Sequence, residues 1–213
     1  MIDYGVIDRS IEFYSSFGYS RIEAPWIVTK AICDVTKPTG SDTYTVSRDK
    51  TESVKEFVAS GEQSFLYLIN KGNLPASGKF QTVTPCMRNE PFDQSHMKCF
   101  VKNELISYDT NSVYIEPDVA YMMMKDALRF FSTEVQDKSL LKEVMTSPIS
   151  WDIEYDGVEI GSYGVRQCDF VAWAYATGVA EPRFSRYCRR KTHEQSFWIS
   201  QERNPEGGPG PTE

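Results

Sequence analysis

Residues 80–106 read FQTVTPCMRNEPFDQSHMKCFVKNELI. Two strand-like runs flank a polar loop. The first, Phe80 to Arg88, sets Val83 and Met87 among polar neighbours. The loop, Pro91 to Lys98, contains Pro, Asp, Gln, Ser and His, most of which favour turns. In the second run, Cys99 to Ile106, alternation puts Phe100, Lys102, Glu104 and Ile106 on one face and Cys99, Val101 and Leu105 on the other. The expected product is an antiparallel hairpin with Arg88, Glu90, Phe100, Lys102 and Glu104 on one face. Residue chemistry leaves two uses for that face. It is a solvated surface with cross-strand ion pairs. Otherwise it is a nucleotide cradle, in which Arg grips a phosphate with two hydrogen bonds, Phe stacks under a base and Glu accepts from an exocyclic amine.

The chain around this hairpin has 213 residues, 40% of them hydrophobic and 25% charged. That suits one soluble domain with a real core. The N-terminus, MIDYGVIDRSIEF, lacks the basic and apolar regions of a signal peptide. No apolar run is long enough to span a membrane. Five cysteines at irregular spacings fit neither a disulfide framework nor a CxxC pair, so a reducing cytoplasm is expected. The net charge of −7 excludes the overall basic footprint of a dedicated nucleic-acid binder.

In chain order, the spacing of Ile7, Ile11, Tyr14 and Phe17 predicts a helix stopped at Gly18. A strand is expected over Tyr19–Val28, with Pro25 at an edge or an interface. Thr36 to Lys55 reads as irregular, with a hairpin around Tyr44-Thr45-Val46. Ser60 and Gln63 stand at the N-cap and capping-box positions of an apolar helix. Lys71 to Lys79 is a turn. Val119, Met122, Met123, Ala127, Phe130, Phe131 and Val135 form the core stripe of a long helix. Trp151, Ile153 and Tyr155 alternate before Asp156-Gly157, a two-residue hairpin signal. Small residues then surround Glu159, Ser162 and Arg166. Basic residues Arg186, Arg189, Arg190 and Lys191 make either a solvated helix face or a phosphate-contacting patch. Residues 1–200 are expected to form one domain, and 201–213 a disordered Pro/Gly-rich tail.

Arg88-x-Glu90, a loop, then Phe100-x-x-x-Glu104 resembles motif 2 of the class II aminoacyl-tRNA synthetases. Helix, Gly18, strand, Pro25 and two apolar residues resemble motif 1; read alone, they also describe an ordinary αβ unit. Gly178-Val-Ala-Glu-Pro182-Arg183-Phe184 resembles motif 3, with fewer glycines than the pattern usually carries. Glu159 to Arg166 is also similar to a stretch of ammonia-dependent asparagine synthetase.

The resemblance covers about Ile7 to Phe184. It implies an α+β fold, a mostly antiparallel sheet flanked by helices. The sequence pass reaches the same class from segregated strands and helices. The implied activity is ATP-dependent activation of an amino acid as its adenylate, with magnesium. By the resemblance, Arg88 holds the α-phosphate, and Phe100 and Arg183 sandwich adenine. Glu90 reads the adenine amine and His96 meets the pyrophosphate. Glu159 and Glu104 bind Mg2+. Ser60 and Glu62 hold the substrate ammonium, with Ser162 and Arg166 lining the substrate site. Locally, Ser60 serves equally as a helix cap and Arg183 as a surface residue at a helix start. The resemblance also implies a homodimer through residues 7–28, transfer to tRNA or another carrier, and a compact core without an anticodon-binding domain. An amidating ligase of the asparagine synthetase kind and a non-catalytic paralogue with a binding or regulatory role are the alternatives.

Overall fold

The computed structural model describes residues 1–37, 42–47, 54–89 and 97–188. Helix α1 (Tyr4–Ser16) starts three residues before the predicted Ile7, because Asp3 caps it by accepting from Gly5 N and Val6 N. Ile7, Ile11 and Tyr14 are buried, and Gly18 has φ +84° just beyond its end.

The single strand expected over Tyr19–Val28 is instead two, β1 (Ser20–Arg21) and β2 (Ile27–Thr29), in different sheets. Pro25 lies between them. It has no N–H for a ladder, and its carbonyl accepts from Ser64 Oγ at 2.7 Å. A short helix, α2 (Lys30–Thr36), follows, where no element was expected. Strands β3 (Thr45–Ser47) and β4 (Lys55–Phe57) join β2 in a three-stranded antiparallel sheet ordered β2-β4-β3.

Helix α3 (Gly61–Asn70) leads into the predicted hairpin, β5 (Ser77–Met87) and β6 (Cys99–Asp109). The hairpin is longer than expected and pairs without a break from Ser77↔Asp109 to Met87↔Cys99. Helix α4 (Pro117–Glu134) buries Ala120, Met123, Met124, Ala127, Phe130 and Phe131. Met122 is 53% exposed, a correction to the predicted stripe: i, i+3, i+4 spacing counted from Ala120 selects Met123 and Met124. Strand β7 (Leu141–Ser147) was not expected. It is an edge strand with no buried residue, so it carries no apolar alternation to read.

Strands β8 (Ser150–Tyr155), β9 (Val158–Cys168) and β10 (Val171–Glu181) complete the main sheet, and α5 (Arg183–Cys188) ends the described chain. The β8–β9 turn uses Asp156 at φ 51° and Gly157 at φ 77°, the two positive angles a two-residue hairpin loop needs.

The seven-stranded sheet runs β1-β5-β6-β10-β9-β8-β7 and is antiparallel except where β1 meets β5. Its two faces bury different cores. Leu105, Tyr163, Ala174 and Val179 pack with α1 and α4. Ile106, Tyr108 and Trp173 pack with Phe65 and Leu66 of α3. The expected alternation along β6 therefore holds, and Phe100, Lys102 and Glu104 stand on the α3 face. No helix among the described residues is long and apolar enough to cross a membrane.

Candidate active site

On the α3 face two cavities adjoin. The smaller, about 50 Å³, is lined by Arg88, Phe100, Lys102, Glu159, Thr177 and Arg183, among others. The larger, about 200 Å³, is lined by Ser60, Glu62, Glu104, Ser162, Arg166 and Tyr175, and again by Arg88, Lys102 and Glu159. Those three shared residues form the wall where the cavities meet.

Glu104 and the start of α3 form the floor. Ser60 caps α3, its Oγ accepting from Glu62 N at 3.2 Å. The same hydroxyl donates to Glu104 Oε1 at 2.7 Å, and Gly61 N donates to Glu104 Oε2 at 2.8 Å. A carboxylate thus sits on the helix N-terminus, where unpaired N–H groups and the dipole favour it. Lys102 Nζ adds a third donor at 3.0 Å. Burial alone would raise the pKa of Glu104, which is 1% exposed; Lys102, Ser60 and Gly61 together hold it below the usual carboxylate value. The helix approaches the sheet this closely because residue 61 is glycine: a Cβ there would lie 2.9 Å from Thr84 Oγ1 and 3.3 Å from Glu104 Cβ. Gln63 completes the capping arrangement one residue early, its Oε1 accepting from Ala59 N at 2.8 Å.

Glu62 faces the other way. Its Oε2 accepts from Arg166 Nη1 at 2.6 Å and its Oε1 from Trp173 Nε1 at 2.5 Å. Burial outweighs the Arg166 charge and raises the carboxyl pKa, with Glu104 adding to the rise. Arg166 reaches Glu62 from β9, its guanidinium 4.2 Å over the Tyr175 ring, and remains 41% exposed. The resemblance placed Glu62 as a receptor for a substrate ammonium; in the structure its oxygens already face a guanidinium and an indole N–H.

At the mouth, the Arg88 guanidinium lies 5.0 Å over the Phe100 ring, and its Nε donates to Ala59 O at 3.1 Å. Arg183 starts α5, and its Nη1 lies 3.3 Å from Glu159 Oε1. Ser162 is held by Thr177, with its N donating to Thr177 Oγ1 at 3.2 Å. The structure thus gathers Ser60, Glu62, Arg88, Phe100, Glu104, Glu159, Ser162, Arg166 and Arg183 around two touching cavities. Glu90 and His96 lie outside the described residues, as do Arg189, Arg190, Lys191 and the tail.

Lys102, Trp173 and Tyr175 were not assigned to the site in advance. Lys102 was open to detection, since it alternates with Phe100 and Glu104. Trp173 and Tyr175 lie in the run Val171-Ala-Trp-Ala-Tyr-Ala, which carries no local signal for a site. Among the described residues no group of three or more His, Cys, Asp or Glu side chains converges as a metal site.

No protein-family model and no curated protein matches the sequence. Solved structures do. Cytoplasmic serine-tRNA ligase from Naegleria fowleri, in complex with AMP, superposes with a TM-score of 0.63 at 15% identity, covering 88% of this chain and 54% of the ligase. The chain thus spans about half the length of that enzyme. PylSc, a pyrrolysyl tRNA synthetase from Desulfitobacterium hafniense, superposes with a TM-score of 0.62 at 12% identity, covering 88% of this chain and 70% of the synthetase. With its mostly antiparallel sheet and flanking helices, the chain has the fold of a class II aminoacyl-tRNA synthetase catalytic core.

Proposed function

We propose that the protein is an ATP-dependent ligase that activates the carboxylate of an amino acid as its adenylate. One observation carries this reading: two cavities of different chemistry share a wall made of Arg88, Lys102 and Glu159. The lining of the smaller offers a ring for a base in Phe100 and cations for phosphates in Arg88 and Arg183. The larger suits a small polar acid. In an adenylating reaction the two substrates meet where the cavities do. A substrate carboxylate oxygen bonds to the α-phosphorus, and the bond from that phosphorus to the bridging oxygen breaks. Pyrophosphate leaves with the electron pair. No protein nucleophile is required. Arg88 and Lys102 would neutralise charge growing on the phosphate oxygens, and the folded sheet would hold the reactants in line.

Magnesium fits in a limited way. Mg2+ is commonly held by one or two carboxylates together with substrate phosphates. Glu159, 49% exposed on the shared wall, would supply one. Glu104 already receives three donors within the protein, so Glu159 is the better candidate. A bound magnesium ion would offset phosphate charge during the transfer.

Pyrophosphate exchange into ATP, measured with each amino acid in turn, tests the reading. Exchange dependent on one amino acid supports it. ATP binding without exchange for any amino acid would favour the non-catalytic alternative. Free amide formed only when ammonia is added would mark the amidating alternative, and aminoacylated tRNA or another carrier would identify the acceptor. In the same reading Phe100→Ala weakens ATP binding by about 1–3 kcal/mol through lost stacking. Calorimetry checks this, and an unchanged affinity would remove Phe100 from the nucleotide site.

A homodimer through residues 7–28 belongs to the same proposal. Trp26 is 56% exposed and Ile27 37% exposed beside Pro25, in a segment where two large apolar side chains meet solvent. Light scattering at micromolar concentration should give twice the chain mass, and Trp26→Glu should shift the population toward monomer. A wild-type monomer would sink the assignment.

A further inference from the structure

The larger cavity presents a guanidinium where the family resemblance implied a carboxylate. Glu62 is 3% exposed and lies beneath Arg166, bonded to it and to Trp173. Arg166 is fixed by that bond and by its stack on Tyr175, yet much of its guanidinium remains accessible. An Arg has five N–H donors in a fixed fork. Among the described residues Arg166 has one side-chain acceptor, Glu62, which leaves the outer edge of the fork to face the cavity. Arg88 and Arg166 thus line the same cavity of about 200 Å³. Asp42 lines it as well, and its exposed carboxylate can meet an ammonium.

We propose that the acid bound here carries two carboxylates: an α-amino acid whose side-chain carboxylate is read by Arg166, while its α-carboxylate meets Arg88. The inference rests on the adenylating reading for the role of Arg88. A neutral amide cannot accept two charge-assisted bonds from the fork, and a basic side chain meets like charge. Glu62 is then a positioning residue. It holds Arg166 against Tyr175 and partly neutralises it, which keeps the guanidinium from binding any anion indiscriminately.

The test is calorimetry on the full chain with L-aspartate, L-glutamate, L-asparagine and L-glutamine, with and without an ATP analogue that cannot be cleaved at the α-phosphate. At least one acid should bind about 10–100-fold more tightly than its amide, the range of one charge-assisted hydrogen bond. Arg166→Gln should erase that preference. Glu62→Gln should tighten the acid, because Arg166 loses its internal counter-charge. If Glu62 instead received the substrate ammonium, Glu62→Gln would weaken binding, and that sign overturns the proposal.

Arg166→Gln leaves a buried carboxylate unpaired. If it fails to fold, the Glu62→Gln/Arg166→Gln double variant has no such charge and should show the same lost preference. Equal binding of acid and amide, or binding of neutral or basic amino acids alone, overturns the inference. Acid binding without pyrophosphate exchange supports it and removes the adenylating function. Exchange driven by a neutral amino acid does the reverse.

Discussion

Arg88→Lys should lower amino-acid-dependent pyrophosphate exchange by about 10²–10³-fold, the range seen when one preorganised donor is lost from a transition-state site. Arg88 sits at the end of β5 on the wall shared by both cavities. Its position is fixed three ways. The backbone N donates to Lys98 O, Nε donates to Ala59 O, and the guanidinium lies over Phe100. Among the described residues that leaves the terminal nitrogens to meet a phosphate and the attacking carboxylate together. Lysine keeps the charge but loses the planar fork, the Ala59 bond geometry and the stack on the ring. Charge on the α-phosphate oxygens grows toward the transition state, so the loss should appear in turnover, with ATP affinity little changed. Steady-state exchange paired with ATP calorimetry separates the two. Wild-type turnover in Arg88→Lys would mean that the reacting centre lies elsewhere.

The hairpin that carries Arg88 was legible because its two signals are local. Turn-forming residues fall between two runs, and Phe100, Lys102 and Glu104 alternate along one of them. The other elements were harder in proportion to how little their own residues decide. β1 and β2 look like one strand until Pro25 is allowed to break the ladder. β7 has no apolar face, and only its neighbour β8 makes it a strand.

The site divides in the same way. Residue types were readable; partnerships were not. Glu62 and Arg166 are 104 positions apart. Their contact exists because β10 lies between β6 and β9, which carries Trp173 and Arg166 over to the side of the sheet where α3 packs. Nothing in either local sequence records that order. The same holds for Glu104, which the resemblance implied to be a magnesium ligand. The contacts it makes depend on α3 starting directly above it, which requires glycine at position 61.

Glu104→Ala should therefore be the most destabilising of these substitutions. The side chain is 1% exposed and accepts from Ser60 Oγ, Gly61 N and Lys102 Nζ. Removing it strands two donors at a helix N-terminus and leaves a largely buried ammonium without its counter-charge. Breaking a buried ion pair from one side costs about 3–5 kcal/mol. For a chain of this size that lowers Tm by roughly 6–20 °C, at about 2–4 °C per kcal/mol.

Glu104→Gln is milder and isolates the charge. The folded-state pKa of Glu104 lies below its ordinary value, so its ionisation stabilises the protein at pH above the unfolded value of about 4.3 and ceases to do so as pH falls through the folded value. Glu62, with its pKa raised, runs the other way: its contribution is present at low pH and lost as pH rises through the folded value. The wild-type protein mixes the two slopes; the difference between wild type and Glu104→Gln carries the first, together with a smaller change through Glu62, whose pKa the Glu104 charge helps to raise. That difference in Tm should be largest near neutral pH and shrink on acidification below about pH 4. Thermal melts of both proteins from neutral to acidic pH measure it. A difference that is flat across that range would mean that folding leaves the Glu104 pKa unchanged, and that Lys102 and the start of α3 do not stabilise its charge.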